Sequence, residues 1–147
     1  MTPQIPQALR AFTEALPQAR ALGLQLEEAG AGRVVLSMPW AEELVGDPET
    51  GVIHGGAVST LMDTCCAGAV VCHPDMAEAV TATLDLRIDY MRPAAPGKRI
   101  LARAECYHVT RTVAFVRAQA WTEGDADRPV AMATAAFTAL GRREAAP

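Results

Sequence analysis

The chain has 147 residues, half of them hydrophobic and 20% charged, which excludes a disordered polyelectrolyte and fits one ordinary domain able to bury a core without staples. Thirteen basic against 17 acidic residues give a net charge of −4, and aromatics make up only 5%, a balance that argues against a nucleic-acid binder. No apolar run approaches the roughly 18 residues of a membrane span, and Arg10 and Glu14 interrupt the N-terminal segment where a signal peptide would be apolar. The expectation is therefore a cytoplasmic domain with neither a membrane nor a nucleic-acid partner.

Ile5, Leu9, Phe12 and Leu16 recur at helical spacing, Pro6 sits near a helix start, and Pro17 marks the end of that segment. Leu22, Leu24 and Leu26 alternate, Ala29–Gly32 reads as a turn, and Val34, Leu36 and Met38 alternate again, which predicts a β-hairpin. Residues 41–51 (AEELVGDPETG) are polar, contain Asp-Pro and Gly, and read as a loop.

From Gly55 to about Val71 apolar residues cover most of the helical circumference, which predicts a buried central helix. Its small residues, among them Gly55, Gly56, Ala57 and Gly68, allow close approach of neighbouring backbone. One charge interrupts it, Asp63. An unpaired buried carboxylate costs several kcal/mol, so this residue must be bonded, exposed at an interface, or functional.

The second half reads as β-structure. Val80, Ala82, Leu84, Leu86, Ile88 and Tyr90 alternate with Thr81, Thr83, Asp85, Arg87 and Asp89. The stretch Arg92–Gly97 breaks the pattern, and strands follow at about 100–106, 113–121 and 130–140. Short polar turns between them predict antiparallel pairing, a meander of three or four strands. The whole is α+β, one antiparallel sheet curling around one helix. The predicted organisation is a helical segment over residues 1–18, the main domain over 19–140 and a flexible tail over 141–147.

Cys65, Cys66, Cys72 and Cys106 form no CxxC pair, and His54, His73 and His108 are scattered, so no metal site is read. The cysteines read as small buried hydrophobes in a reducing compartment. At the entry to the central helix, His54-Gly55-Gly56 offers unpaired N–H groups at a positive dipole end, suited to a developing oxyanion. The alternative is that the glycines serve close packing and that His54 is a structural cap.

Taken together, Gly51-Val52-Ile53-His54-Gly55-Gly56, Asp63 nine residues beyond His54, and Leu84–Pro93 (LDLRIDYMRP) with Gly97 resemble the PaaI-like acyl-CoA thioesterases of the hotdog-fold superfamily. The resemblance covers roughly residues 20–140. It implies a hotdog fold, a homodimer or homotetramer with joined sheets, and hydrolysis of acyl-CoA thioesters, with no cofactor because CoA is part of the substrate. Under it Asp63 is the general base or nucleophile, the Gly55 N–H polarises the thioester carbonyl, and His54 belongs to the catalytic set. Gly56, Asp47, Thr83, Arg92, Arg111 and Thr112 are the implied substrate contacts. Three positions depart from the pattern: Pro48, between Asp47 and Glu49, where relatives often carry Asn or Gln; Ala67, where some carry Ser or Thr; and Thr110, where many carry Gly.

Two other functions fit parts of this pattern. A hotdog hydratase or dehydratase would need an acidic residue followed at short spacing by a His in the helix, which is missing. A non-catalytic acyl-CoA-binding module has no reason to bury Asp63 near a thioester. Geometry adds a constraint of its own: Gly55 and Asp63 lie eight residues apart, about 12 Å along one helix, while a base and an oxyanion donor must both reach one carbonyl. If both act, the site is shared between two chains.

Overall fold

The structure, a computed structural model, describes residues 7–76 and 79–140. The expected tail from Gly141, and Ile5 and Pro6 of the first predicted helix, lie outside these residues.

Helix α1 (Gln7–Ala15) is followed at once by α2 (Pro17–Ala21). Pro17, read above as a stop, also opens a new helix. At the first helical position its missing N–H is not needed, and Leu16 before it takes the extended conformation (φ −74°, ψ 114°) that proline imposes on its neighbour. Leu22 and Leu24 consequently close α2 rather than begin a strand: their N–H groups donate to the carbonyls of Gln18 and Ala19. The hairpin is β1 (Gln25–Gly30) and β2 (Arg33–Met38), turning through Gly32 at φ +70°.

Residues 41–51 are more ordered than a loop. A single 3₁₀ turn (Glu42–Leu44) leads into β3 (Val45–Asp47), which pairs with β4 (Val52–Ile53). Helix α3 (Gly55–Val71) then occupies the span its composition predicted. Strands β5 (Thr83–Tyr90), β6 (Ile100–Val109), β7 (Val113–Thr122) and β8 (Ala131–Thr138) complete the chain.

Six strands form one antiparallel sheet in the order β1-β2-β6-β7-β8-β5. The meander holds for β6, β7 and β8, but β5 lies on the far side of β8 rather than beside β6. Residues 91–99 contain Pro93 and Pro96, which cannot serve a tight two-residue hairpin, and they are long enough to carry the chain across the end of the sheet. That crossing is tied down by the Met91 N–H on the Val130 carbonyl and the Ala95 N–H on the Thr122 hydroxyl.

Helix α3 lies across β2, β6 and β7. The sheet face beneath it is paved with alanine, Ala102 and Ala104 on β6, Ala118 and Ala120 on β7, and Ala131, Ala133 and Ala135 on β8, all buried. Their small side chains leave room for the larger Leu61, Met62, Cys65 and Cys66 of α3, all fully buried, at interior packing density. Burial of Leu61 or Met62 contributes roughly 1.5–3 kcal/mol each relative to exposure. Toward β2 and α1, Gly68 faces Val34 and Leu9, where a Cβ would make ordinary contact.

The cysteines are free thiols. Burial pushes Cys65 up to about 12, and its Sγ–H points at the carbonyls of Val34 and Ala102. Cys65 and Cys66 thus pack as the small hydrophobes expected. Among the described residues no helix is long and apolar enough to cross a membrane.

Candidate active site

The turn into α3 is built by its preceding loop. The His54 N–H donates to the Leu44 carbonyl at 2.8 Å, and its Nδ1 accepts the Gly56 N–H at 2.8 Å, making His54 the N-cap of α3. An accepting Nδ1 places the ring proton of the neutral imidazole on Nε2. A Cβ on Gly56 would stand 2.8 Å from that Nδ1, so glycine is what admits the capping ring. Gly46 serves the same turn, since a Cβ there would lie 2.7 Å from the His54 Cα.

Asp47 ties the β3–β4 turn together: Oδ1 accepts the Glu49 N–H at 3.1 Å and Oδ2 the Thr50 hydroxyl at 2.7 Å. The Thr50 hydroxyl, then the Glu49 N–H, hold its carboxyl below the usual range. The Trp40 indole N–H fixes the end of this loop by donating to the Gly51 carbonyl at 2.9 Å.

With the Gly56 N–H committed to His54, the exposed Gly55 N–H at the positive end of α3 has no acceptor among the described residues. Tyr90, at the end of β5, covers the same glycine. Its hydroxyl donates to the Gly55 carbonyl at 2.8 Å, and its ring lies 3.5 Å from where a Gly55 Cβ would be. Gly55, Val58, Tyr90, Met91 and Arg92 help line a pocket of about 370 Å³. The Arg92 guanidinium donates to the Pro129 carbonyl at 2.7 Å. A larger hollow, about 720 Å³, lies on the outer face of the sheet between β1, β2 and β6. None of the predicted site residues lines it, so position rather than volume assigns the site.

Asp63 lies two turns further along α3, half-buried, and its Oδ1 accepts the Thr83 hydroxyl at 2.8 Å. This contact depends on a β-bulge. Thr83 pairs with Phe137 but Asp85 with Ala136, so Leu84 is an extra residue on β5. Directly paired residues share a face, and Phe137, Ala135 and Ala133 are buried on the inner one. The alternation of Leu86, Ile88 and Tyr90 would place Leu84 inward and Thr83 outward. The bulge reverses the phase, leaving Leu84 exposed and turning Thr83 toward α3.

The site residues therefore fall into two groups within one chain. Gly55, Tyr90 and Arg92 lie where β5 ends; Asp63 and Thr83 lie where it begins, about 23 Å away along the strand. Arg111 and Thr112, in the β6–β7 turn, belong to the second end: the Thr112 carbonyl accepts the Ala139 N–H, and Ala82 and Thr138 exchange hydrogen bonds. Continuous α3 keeps Gly55 and Asp63 about 12 Å apart. As site residues, Tyr90 and Gly46 escaped the sequence reading. Tyr90 carried a signal, an aromatic closing an alternating strand, whereas Gly46 carried none. Among the described residues no group of three His, Cys, Asp or Glu side chains could hold a metal ion.

Residues 50–128 match the family model of the thioesterase superfamily. The human protein named acyl-coenzyme A thioesterase 13 is 33% identical over 116 residues, covering 78% of this chain and 80% of its own. A crystal structure from Pseudomonas aeruginosa superposes with a TM-score of 0.77 at 44% identity, over 88% of this chain and 95% of that one. The PaaI protein of Escherichia coli, from the phenylacetic acid degradation operon, shares the fold at a TM-score of 0.80 and 21% identity, over 92% of this chain and 93% of its own. The chain belongs to the thioesterase superfamily, and its sheet wrapped around α3 is the hotdog fold of those thioester hydrolases.

Proposed function

We propose that this protein hydrolyses acyl-CoA thioesters to free acid and CoA at a site that two chains complete together. Strand β5 is one of the sheet's two edges, and Leu84 and Tyr90 on it and Met91 just beyond it are 57%, 53% and 53% exposed. An open edge with exposed apolar side chains favours pairing with another strand. Antiparallel pairing of two copies of β5 about a two-fold axis sets the Tyr90 end of one strand beside the Thr83 end of the other. Gly55, bonded to Tyr90, then approaches the partner's Asp63, which is bonded to Thr83. The resemblance also implies tetramers built from two such dimers.

In this arrangement the Gly55 N–H donates to the thioester carbonyl oxygen as negative charge develops there. The partner's Asp63 withdraws a proton from a water whose oxygen attacks the carbonyl carbon, or itself attacks that carbon to form a mixed anhydride that water then hydrolyses to the free acid. The C–S bond breaks and the CoA sulfur leaves, taking up a proton. Thr83 occupies one oxygen of Asp63 and leaves the other for this work. His54 and Gly56 hold the Gly55 peptide through the cap, while Asp47 fixes the loop behind them. Arg92, with the partner's Arg111 and Thr112 delivered to the same end, contacts the CoA moiety. Water is the only co-reactant, so no cofactor is needed, and the four free thiols suit a cytoplasmic location.

The observation that carries the reading is Asp63: the one charge in α3, half-buried and held by a hydroxyl that a bulge turns toward it. The test is free-thiol release over short, medium, long and aryl acyl-CoAs. Asp63→Asn keeps the shape and the Thr83 contact but cannot take a proton, and should lower turnover about 10²–10⁴-fold at unchanged melting temperature. Near-full turnover by a folded Asp63→Asn protein would sink this mechanism.

A further inference from the structure

Beside the Gly55–Tyr90 pocket lies a second depression of about 360 Å³, formed where residues 91–99 meet the turn between β7 and β8. The two share Arg92, Pro93 and Val130, so they adjoin. Its lining includes three cations, Arg92, Lys98 and Arg128, brought together from two turns far apart in sequence.

The charges around it are not mutually satisfied. Glu123 is already held by Arg99, which draws its carboxyl below the usual range with a smaller contribution from Lys98. Lys98 makes no hydrogen bond or ion pair of its own among the described residues. Among the described residues Arg128 has only Asp125, at 3.7 Å, with both side chains largely exposed, a contact worth little. Arg92 is aimed by the Pro129 carbonyl next to Arg128. The lining thus carries three cations against two carboxylates, Glu123 already held by Arg99 and Asp125 only loosely by Arg128, on a chain whose net charge is −4. A guanidinium fork matches phosphate oxygens, and a lysine ammonium serves them as a point charge.

We infer that this depression binds phosphate, and that the phosphates are those of the nucleotide end of the CoA substrate, with Lys98 and Arg128 as the principal contacts beyond Arg92. The assignment to CoA rests on the acyl-CoA reading above; the phosphate site does not. Contacts this far from the thioester bind ground and transition states alike, so they act on KM and not on kcat.

The test uses the full chain with Lys98→Gln and Arg128→Gln, singly and together. Steady-state kinetics are compared for an acyl-CoA and for the same acyl group on pantetheine, which lacks the phosphates. Calorimetry measures binding of adenosine 3′,5′-bisphosphate alone. The double variant should raise KM for acyl-CoA about tenfold or more, with kcat and the KM for acyl-pantetheine unchanged. It should also abolish a salt-sensitive binding of the bisphosphate. An unchanged KM for acyl-CoA, or an equal rise for both substrates, overturns the CoA assignment. Loss of bisphosphate binding with unchanged KM would instead give the site to a free nucleotide. If the wild type hydrolyses no acyl-CoA, the proposed function fails, and bisphosphate binding still decides the phosphate site: bound and lost in the double variant, it stands; absent or unaltered, it falls.

Discussion

His54 gives its Nδ1 lone pair to the Gly56 N–H, so its clearest role is to set the first turn of α3 and thereby the direction of the Gly55 N–H. That makes it a positioning residue, and a pair of substitutions separates positioning from chemistry. Asparagine is among the best N-caps and can accept the same N–H, whereas alanine cannot. His54→Asn should keep both stability and most of the turnover. His54→Ala should lose about 1 kcal/mol of stability, a fall of roughly 2–4 °C in melting temperature for a chain of this size, together with most of the activity. Calorimetry and thiol-release kinetics on the two variants check this. Turnover lost equally in both, with the melting temperature kept in His54→Asn, would show that the imidazole itself meets the substrate.

Strand β5 connects the two ends of the site, and its single bulge decides what Asp63 touches. Thr83→Val retains the branched shape suited to a strand but removes the hydroxyl, leaving a half-buried carboxylate without its donor. Turnover should fall about tenfold in Thr83→Val, while Thr83→Ser, which keeps the donor, stays near wild type. Equal activity in all three would remove Thr83 from the site. The alternation over residues 80–90 made the strand legible in the sequence, but not its phase. Leu84 carries no glycine or proline to mark a bulge, because the extra residue is defined by pairing with β8, a partner about fifty residues away. Helix α3 was legible almost to its ends because a run apolar on all sides can only be a buried core element. The second helix at Pro17 and the short β3–β4 pairing were not, since proline both ends and begins helices and three-residue strands carry too little pattern. Gly55 and Asp63 stood out from local chemistry together with a family likeness. The convergence of Lys98 and Arg128 follows from strand order, which local sequence does not encode.

For the whole molecule the two-ended site has one consequence that a monomeric enzyme would not share. One chain holds Gly55 about 12 Å from its own Asp63 along α3, so under the proposed mechanism, in which both act on one carbonyl, the site takes Gly55 from one subunit and Asp63 from the other. A two-fold dimer then carries two equivalent sites, and subunits with complementary defects should repair one another. Asp63→Ala removes the carboxylate. Gly55→Pro removes the N–H at a first helical position, where proline is tolerated and where the extended backbone of His54 (φ −59°, ψ 133°) already suits a following proline. Each variant alone should be inactive. Refolded together in equal amounts, about half of the dimers are mixed, and each mixed dimer holds one intact site, formed by Asp63 of one chain and Gly55 of the other. Activity should recover to about a quarter of the wild-type value by random pairing. The measurement is thiol release after co-refolding, with mixed dimers verified by differently tagged subunits. If both variants fold, mixed dimers form and no activity returns, then Gly55 and Asp63 do not act on the same carbonyl, and the pairing of two β5 edges must serve assembly alone.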